Sequence, residues 1–499
     1  MPLSTSAEVI APLPQVHAAS IERRGALAIL ILSLALGGFL RFYHLGVREM
    51  SADEGASWAA ANAPTIAQVL RQQPLLNPGK FAVHEVALHG WIRLFGDGLI
   101  SMRALSAIAG TLAIVVVFLL VRELLGLGSD VKRTSPDERA GARSPYELPA
   151  AFAAMLFAVS PVFIKYSQEA RMYSVGLLCA LIQVGFFLRS LRHPTLSVLL
   201  LTALFTALAI ASTFTLSLIL VPEVLWLAYV VRREPGTLRP AAYSVLALIA
   251  GLVMLIPPSI VYLEARAHAP ALLAYAWSSR PPLWAPISMF NKATGTFAFP
   301  VLLALALWGA VRGWREAHDA TVFSVIWMLV PPVLVLVASY IIRPAFVERY
   351  LLSSFVAFFI LVAFGIWNMA GFSMQTAALS LAACLALGHL HSYWSHPHDV
   401  QWREAVDEAS SRTGDTIVVA PPYAADVVRY YLPASGTNWS VDPVGAKGAT
   451  VAIIADSGVS ASTARSMAAE YPRLLIRLRG VMVRERFVSG SHKDAGAIN

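Results

Sequence analysis

Three short stretches gather ionisable and aromatic residues at the ends of long apolar runs. The first reads Arg48-Glu49-Met50-Ser51-Ala52-Asp53-Glu54-Gly55-Ala56-Ser57-Trp58. Its adjacent carboxylates can serve as a general base or bind a cation. Ser51 and Glu54 also have capping-box spacing, so the same residues can start a helix and fix where Asp53 points. The second stretch runs from Ser160-Pro161 through Lys165-Tyr166-Ser167-Gln168-Glu169-Ala170-Arg171-Met172-Tyr173. One charged group at a membrane boundary is an ordinary snorkelling anchor. Lys165, Glu169 and Arg171 in one turn suggest a site. The third stretch, Arg343-Pro344-Ala345-Phe346-Val347-Glu348-Arg349-Tyr350, repeats the combination. A guanidinium such as Arg349 donates two parallel bonds to a phosphate, though it also suits an interfacial anchor.

These clusters must be positioned by membrane spans. Of 499 residues, 57% are hydrophobic and 14% charged, against about 25% charged in an average soluble domain. Such a chain must use lipid as its solvent. The net charge of +8 lies in short basic clusters between apolar runs, the pattern of cytoplasmic loops and not of a nucleic-acid surface. Cys179 and Cys384 sit inside apolar runs and make neither a disulfide framework nor a zinc site. Window reading gives about eleven spans: 26–42, 102–121, 148–166, 173–190, 198–213, 215–231, 241–261, 297–312, 321–342, 351–368 and 375–391. Arginines at 122, 189, 192, 232, 233, 312 and 315 put their loops and the N-terminus in the cytoplasm. Segments 44–101, 167–172, 262–296, 343–350 and everything after 392 then face outward. The expected architecture is an all-α polytopic domain over 1–391, with its outer catalytic loop at 44–101. A small α/β domain follows over 392–499, with strand-like runs at 416–420 and 450–455 and helix-like runs at 401–412 and 461–470.

The ordered motifs resemble the GT-C superfamily of integral-membrane glycosyltransferases, in the branch of protein O-mannosyltransferases and lipid A aminoarabinose transferases. Ser51-Ala52-Asp53-Glu54 resembles the acidic loop motif. The run from Trp91 through Arg93-Leu94-Phe95-Gly96-Asp97 to Arg103, the stretch 160–173, and Glu348-Arg349-Tyr350-Leu351-Leu352 resemble later motifs. The outer tail from Gln401-Trp402-Arg403 to Tyr430-Tyr431 resembles the tail of some bacterial members. One departure stands out: Asn77-Pro78-Gly79-Lys80-Phe81 replaces the family's His-Pro-Pro or Lys-Pro-Pro element. The resemblance implies transfer of a sugar from a polyprenyl-phosphate donor to a lipid, glycan or protein acceptor, with inversion, at the outer face of a bacterial inner membrane. Asp53 is then the base. Glu54, Lys80, Glu169, Arg171, Tyr173, Arg349 and Tyr350 line the substrates, and a divalent cation is allowed between the carboxylates.

Weaker signals compete with this reading. His389, His391, His396 and His398 form two His-x-His pairs near Asp399, a zinc-like spacing that also fits a membrane interface. The segment holding Arg266, His268, Arg280 and Lys292 reads as a mobile cover or a basic connector. Glu223, mid-span, is the residue a secondary transporter or lipid flippase would use. Transporters place such groups at the midplane within repeated halves, whereas these clusters sit at one boundary.

Overall fold

The computed structural model describes residues 13–128, 146–267, 280–342, 344–395, 400–411, 416–432, 440–443, 451–456, 459 and 461–486. In chain order its helices begin with α1 (Leu13–Phe42), α2 (Ala52–Ala61), α3 (Ile66–Leu76), α4 (Val83–Phe95) and α5 (Leu99–Leu125). Then come α6 (Glu147–Val159), α7 (Pro161–Ser167), α8 (Met172–Arg192), α9 (Leu196–Ser212), α10 (Leu220–Arg233), α11 (Leu238–Val253) and α12 (Ile256–Ala267). The bundle closes with α13 (Ala285–Thr294), α14 (Ala298–Glu316), α15 (His318–Ile341), α16 (Leu352–Trp367) and α17 (Phe372–Ser395).

Among the described residues, 8 helices are long and apolar enough to cross a membrane, and 10 if each of two bent pairs is one span. The shorter apolar helix α9 fills the remaining window read from the sequence. Leu27, Ile31, Phe39, Leu246, Val253 and Trp308 point outward, as a lipid-solvated surface requires. Inside, α16 is buried over nearly its whole length. It meets α14 where both backbones lack a side chain. A Cβ on Gly309 would sit 2.0 Å from the Leu361 carbonyl, and one on Gly365 would sit 2.0 Å from that of Leu305. Close crossings of this kind replace the hydrophobic drive that lipid removes.

The two bent pairs are not visible as bends in the hydropathy pattern. α6 and α7 meet at 59° because Pro161 has no N–H for the carbonyl four residues back. Buried Arg41 takes over that duty, donating to Phe157 and Ala158 carbonyls at 3.4 and 2.9 Å. Gln168 answers for the end of α1, donating to the carbonyls of Leu40 and Tyr43 at 3.0 and 2.7 Å. α13 and α14 meet at 109°, so the segment holding Lys292 is a helix where the sequence suggested a loop. His268 lies outside the described residues.

Helices α2 to α4 lie over one end of the bundle, and the C-terminal unit packs against them. That unit contains α18 (Trp402–Ser410), β1 (Thr416–Ala420), α19 (Ala425–Tyr431), β2 (Ser440–Pro443), β3 (Val451–Ala455), α20 (Ala461–Glu470), β4 (Arg473–Leu478) and β5 (Val481–Glu485). The sheet order is β2-β1-β3-β5-β4. β1 runs parallel to β2 and β3, while β5 is antiparallel to β3 and β4. The apolar face formed by Trp402, Val406, Ile417, Val427, Val451 and Val483 shares one core with Met50, Leu88, Met102 and Ala170. The sheet is thus continuous in packing with the end of the bundle that carries α2.

Candidate active site

α2 begins with the capping box that the sequence proposes. Ser51 Oγ accepts from the Glu54 N–H at 3.2 Å, and Glu54 Oε2 accepts from the Ser51 N–H at 2.9 Å. Glu54 is wholly committed. Its two oxygens also accept from Arg103 Nε and Nη2, at 2.8 and 2.9 Å, and from the Ala170 N–H at 2.8 Å. A carboxylate offers about four acceptor positions, so none remains for a sugar hydroxyl. In this arrangement Glu54 ties the start of α2 to Arg103 and Ala170. Arg103 is equally saturated, donating its other bonds to the carbonyls of Leu45, Arg48 and Glu49 at 2.8–2.9 Å. Burial works to raise the Glu54 carboxyl, but the Arg103 charge and the hydrogen bonds hold it below its ordinary value.

Asp53, one residue earlier and turned by 100° on the helix, is different. Its carboxylate is 35% exposed, with Arg349 Nη1 at 3.5 Å and Arg171 Nη2 at 3.9 Å. Arg171 itself is buried and anchored, donating Nη1 to the Asp53 carbonyl at 2.6 Å and to Ser57 Oγ at 2.9 Å. With the Asn77 amide turned oxygen-first, both η nitrogens also reach that oxygen at 2.6 and 2.7 Å. Burial opposes the Arg171 charge, but Asp53 and the neighbouring carboxylate of Glu85 keep it above its usual value. Arg349 is the more exposed partner by contrast: its side chain is 30% exposed, over the ring of Tyr350. Tyr173 is buried edge-on to Tyr166 with centroids 5.1 Å apart, beneath the Arg171 guanidinium.

Beneath this pair lies a layer closed by Glu85, which the sequence did not disclose. Ser57 donates to Glu85 Oε1 at 3.0 Å, and Lys80 donates to the same oxygen. Both Lys80 and Glu85 are fully buried. Burial pulls Lys80 down to about 8 against the attraction of Glu85. Burial pushes Glu85 up, but the Lys80 charge wins and sets it to about 2, so the pair is ionised at neutral pH. Neighbouring His84, pulled down by burial to about 4, is neutral there. Lys80 is linked to Arg171 through Glu85 and Ser57. The departing segment 77–81 is a clamp: Phe81 donates to the Ala211 carbonyl at 2.9 Å and Phe214 to that of Gly79 at 3.0 Å. Gly79 makes the turn with φ 106, a conformation that L side chains resist.

Glu169 sits at the edge of the cluster. Burial, then the charge of Glu54, push its carboxyl up to about 7. Nearby, Lys165 reaches Glu348 at 3.2 Å, and Lys292 approaches the other oxygen at 3.9 Å. The cluster does not suit the divalent cation that the sequence allowed. Glu54 is saturated, two guanidiniums stand near Asp53, lysines approach Glu85 and Glu348, and Glu169 resists ionisation. Among the described residues, no three His, Cys, Asp or Glu side chains gather as a metal site. His389 packs on Gly295, while His396 and His398 lie outside the described residues.

A groove of about 410 Å³ opens beside α2, lined by Trp58, Asn62, Gln72, Leu75, Asp426 and Arg429. It joins α2 and α3 to α19 of the sheet unit. The joint is tight: a Cβ on Gly55 would meet Val427 Cγ2 at 2.6 Å. Tyr431 Oη accepts from the Met50 N–H at 2.8 Å, and Glu49 accepts from the Arg403 N–H at 2.9 Å.

Residues 88–237 match a family model described as the Protein O-mannosyl-transferase TMEM260 N-terminal domain. No curated protein matches the chain. Among solved structures, ArnT from Cupriavidus metallidurans in the apo state aligns at 14% identity with a TM-score of 0.62, covering 92% of this chain and 98% of that one. ArnT bound to undecaprenyl phosphate aligns at 14% identity and 0.61 over the same shares. The apo oligosaccharyltransferase of Archaeoglobus fulgidus aligns at 13% identity and 0.51, over 85% and 64%. The chain shares the fold of these solved structures.

Proposed function

We propose that this membrane protein of GT-C fold is a glycosyltransferase that moves a sugar from a polyprenyl-phosphate donor to an acceptor hydroxyl or amine. One observation carries the reading. Asp53 is a partly exposed carboxylate set 3.5 and 3.9 Å from two guanidiniums, on a helix locked from below by the saturated Glu54. Both contacts are longer than a good charge-assisted hydrogen bond, so a phosphate can enter between the arginines without breaking a tight pair.

In the proposed reaction the acceptor O–H or N–H proton passes to Asp53 as the acceptor atom attacks the anomeric carbon. The new glycosidic bond forms as the bond from carbon to phosphate oxygen breaks, inverting the centre. Arg349 and Arg171 answer the charge that develops on the departing polyprenyl phosphate, the kind of preorganised stabilisation that contributes most to such steps. Tyr173 and Tyr350 flank the donor sugar. Protonated Glu169 donates a hydrogen bond to a hydroxyl. The acceptor reaches the anomeric carbon along the groove beside Trp58. We place this chemistry on the outer face of a bacterial inner membrane, following the basic loops at the opposite end of the spans. The undecaprenyl phosphate bound by the similar ArnT structure makes that lipid class the first donor to try.

Nothing specific favours a transporter. Glu223 is buried with both oxygens accepting from the Gln183 amide, at 2.9 and 3.2 Å. Along α8, Gln183 is roughly 15 Å from Tyr173, well away from the charged cluster.

The test uses the full chain in lipid nanodiscs, with labelled polyprenyl-phosphate sugars and an extract of membrane lipids and glycans. Wild type transfers label and Asp53→Asn, still monodisperse, does not. Undiminished transfer by Asp53→Asn rejects the base, and no donor consumption by wild type rejects the activity.

A further inference from the structure

A second cavity lies at the other end of the bundle, far from Asp53. α5 carries Arg103 at its first end and Arg122 at its last; at ~1.5 Å per residue these lie roughly 28 Å apart. Between the last turns of α5 and α8 runs an open groove of about 600 Å³. Its walls are apolar, including Leu120, Leu181 and Phe186. Its mouth is not. Among the described residues, Arg122, Arg189 and Arg192 gather there around one carboxylate, Glu123. Arg189 reaches one Glu123 oxygen at 3.1 Å, and Arg192 pairs with the other and donates to the Glu123 carbonyl at 3.1 Å. Among the described residues Arg122 has no carboxylate partner; its guanidinium lies 5.7 Å from the centre of the Phe118 ring.

We infer that this groove is a binding site for an anionic glycerophospholipid of the leaflet opposite the candidate active site. The argument is one of complementarity on two scales. An apolar channel between spans accepts an acyl chain from the bilayer. Among the described residues, three guanidiniums stand against one carboxylate at the mouth, an excess of positive charge that suits a phosphodiester. A zwitterionic lipid brings its own cation and gains less from that mouth, whereas basic pockets between spans on this side favour anionic headgroups. Planar guanidiniums add bidentate geometry that an ammonium lacks. The lipid would bridge α5 and α8, the two helices whose opposite ends position Arg103 and Arg171.

Gly185 provides a variant that separates the groove from its arginines. It lines the cavity, and a Cβ there would meet nothing closer than Leu120 Cδ1 at 3.9 Å. Alanine therefore fits, while tryptophan must project into the channel. The full chain is delipidated in detergent, supplied with equimolar phosphatidylglycerol and phosphatidylcholine, and examined by native mass spectrometry. Wild type and Gly185→Ala retain phosphatidylglycerol about tenfold over phosphatidylcholine. Arg122→Gln combined with Arg189→Gln brings that ratio near one, and Gly185→Trp loses the tightly held lipid with all arginines intact. Thermal melting of each variant in detergent identifies any that fail to fold, and those are replaced by Gly185→Leu or by Arg122→Gln alone. Equal retention of the two lipids by wild type overturns the inference. So does a preference that survives both the arginine and the groove-filling changes in folded protein.

Discussion

Asp53 and Glu54 are neighbours in the chain and opposites in the structure. Glu54 faces the interior, where Arg103 and two backbone N–H groups consume both its oxygens. Asp53 faces the cleft, where Arg171 and Arg349 stand near it without closing on it. The difference teaches that exposure alone does not mark the reactive acid; unspent hydrogen-bonding capacity does. A saturated pair fixes geometry, and a loosely matched one can change partners during a reaction.

Four measurements sharpen or break that contrast. Asp53→Asn is expected to lower kcat by ~10²–10⁴-fold, the usual worth of a general base, while leaving the melting temperature unchanged. Glu54→Gln is expected to act through folding. Leaving buried Arg103 without its counter-charge costs about 3–5 kcal/mol, read as a large fall in melting temperature or as loss of monodisperse protein. If Glu54→Gln folds normally and only kcat falls, the two acids have been assigned the wrong way round. Arg349→Lys keeps the charge and removes the fork; a loss of about tenfold in kcat/KM is expected, with stability unchanged. The smallest effect concerns Glu169. Its carboxyl is raised to about 7 by burial and by Glu54, so it is protonated below that pH and ionises above it. The transfer rate should fall as pH rises through about 7, and Glu169→Gln, a permanent donor, should flatten that limb. The same shift makes folding stability decline between about 4.5 and 7, because the unfolded chain releases the proton more readily than the folded one.

The capping box was legible because it is local: Ser51 and Glu54 are three residues apart and their types announce the bond. The spans were legible because lipid imposes a length and a composition on each. Arg171 and Arg349 stood out as charge at a membrane boundary. Glu85 did not, although it closes the layer under Arg171. Its partners Ser57 and Lys80 lie on separate segments, and a lone acid early in an amphipathic helix reads as a dipole cap. Arg41 was hidden for a similar reason. Its duty exists only because Pro161, far along the chain, frees carbonyls beside it. α13 was missed because prolines at 281, 282 and 286 and the charge of Lys292 interrupt its apolar pattern. Two of the five strands, β1 and β3, were legible as short apolar runs, but the seam of the sheet unit with α2 depends on the close approach of Gly55 and Val427, which no local pattern encodes.

That seam bears on how the protein is made. Helix α2 is synthesised early, yet the groups that press on it, Val427 and Tyr431, emerge more than 350 residues later. A ribosome that has completed every span has still not delivered the surface against which the acidic helix is seated. If the proposed transfer depends on that seat, a truncation before α19 is expected to keep the spans inserted and to lose label transfer in the nanodisc assay. Retained transfer would show that α2 is seated without the tail.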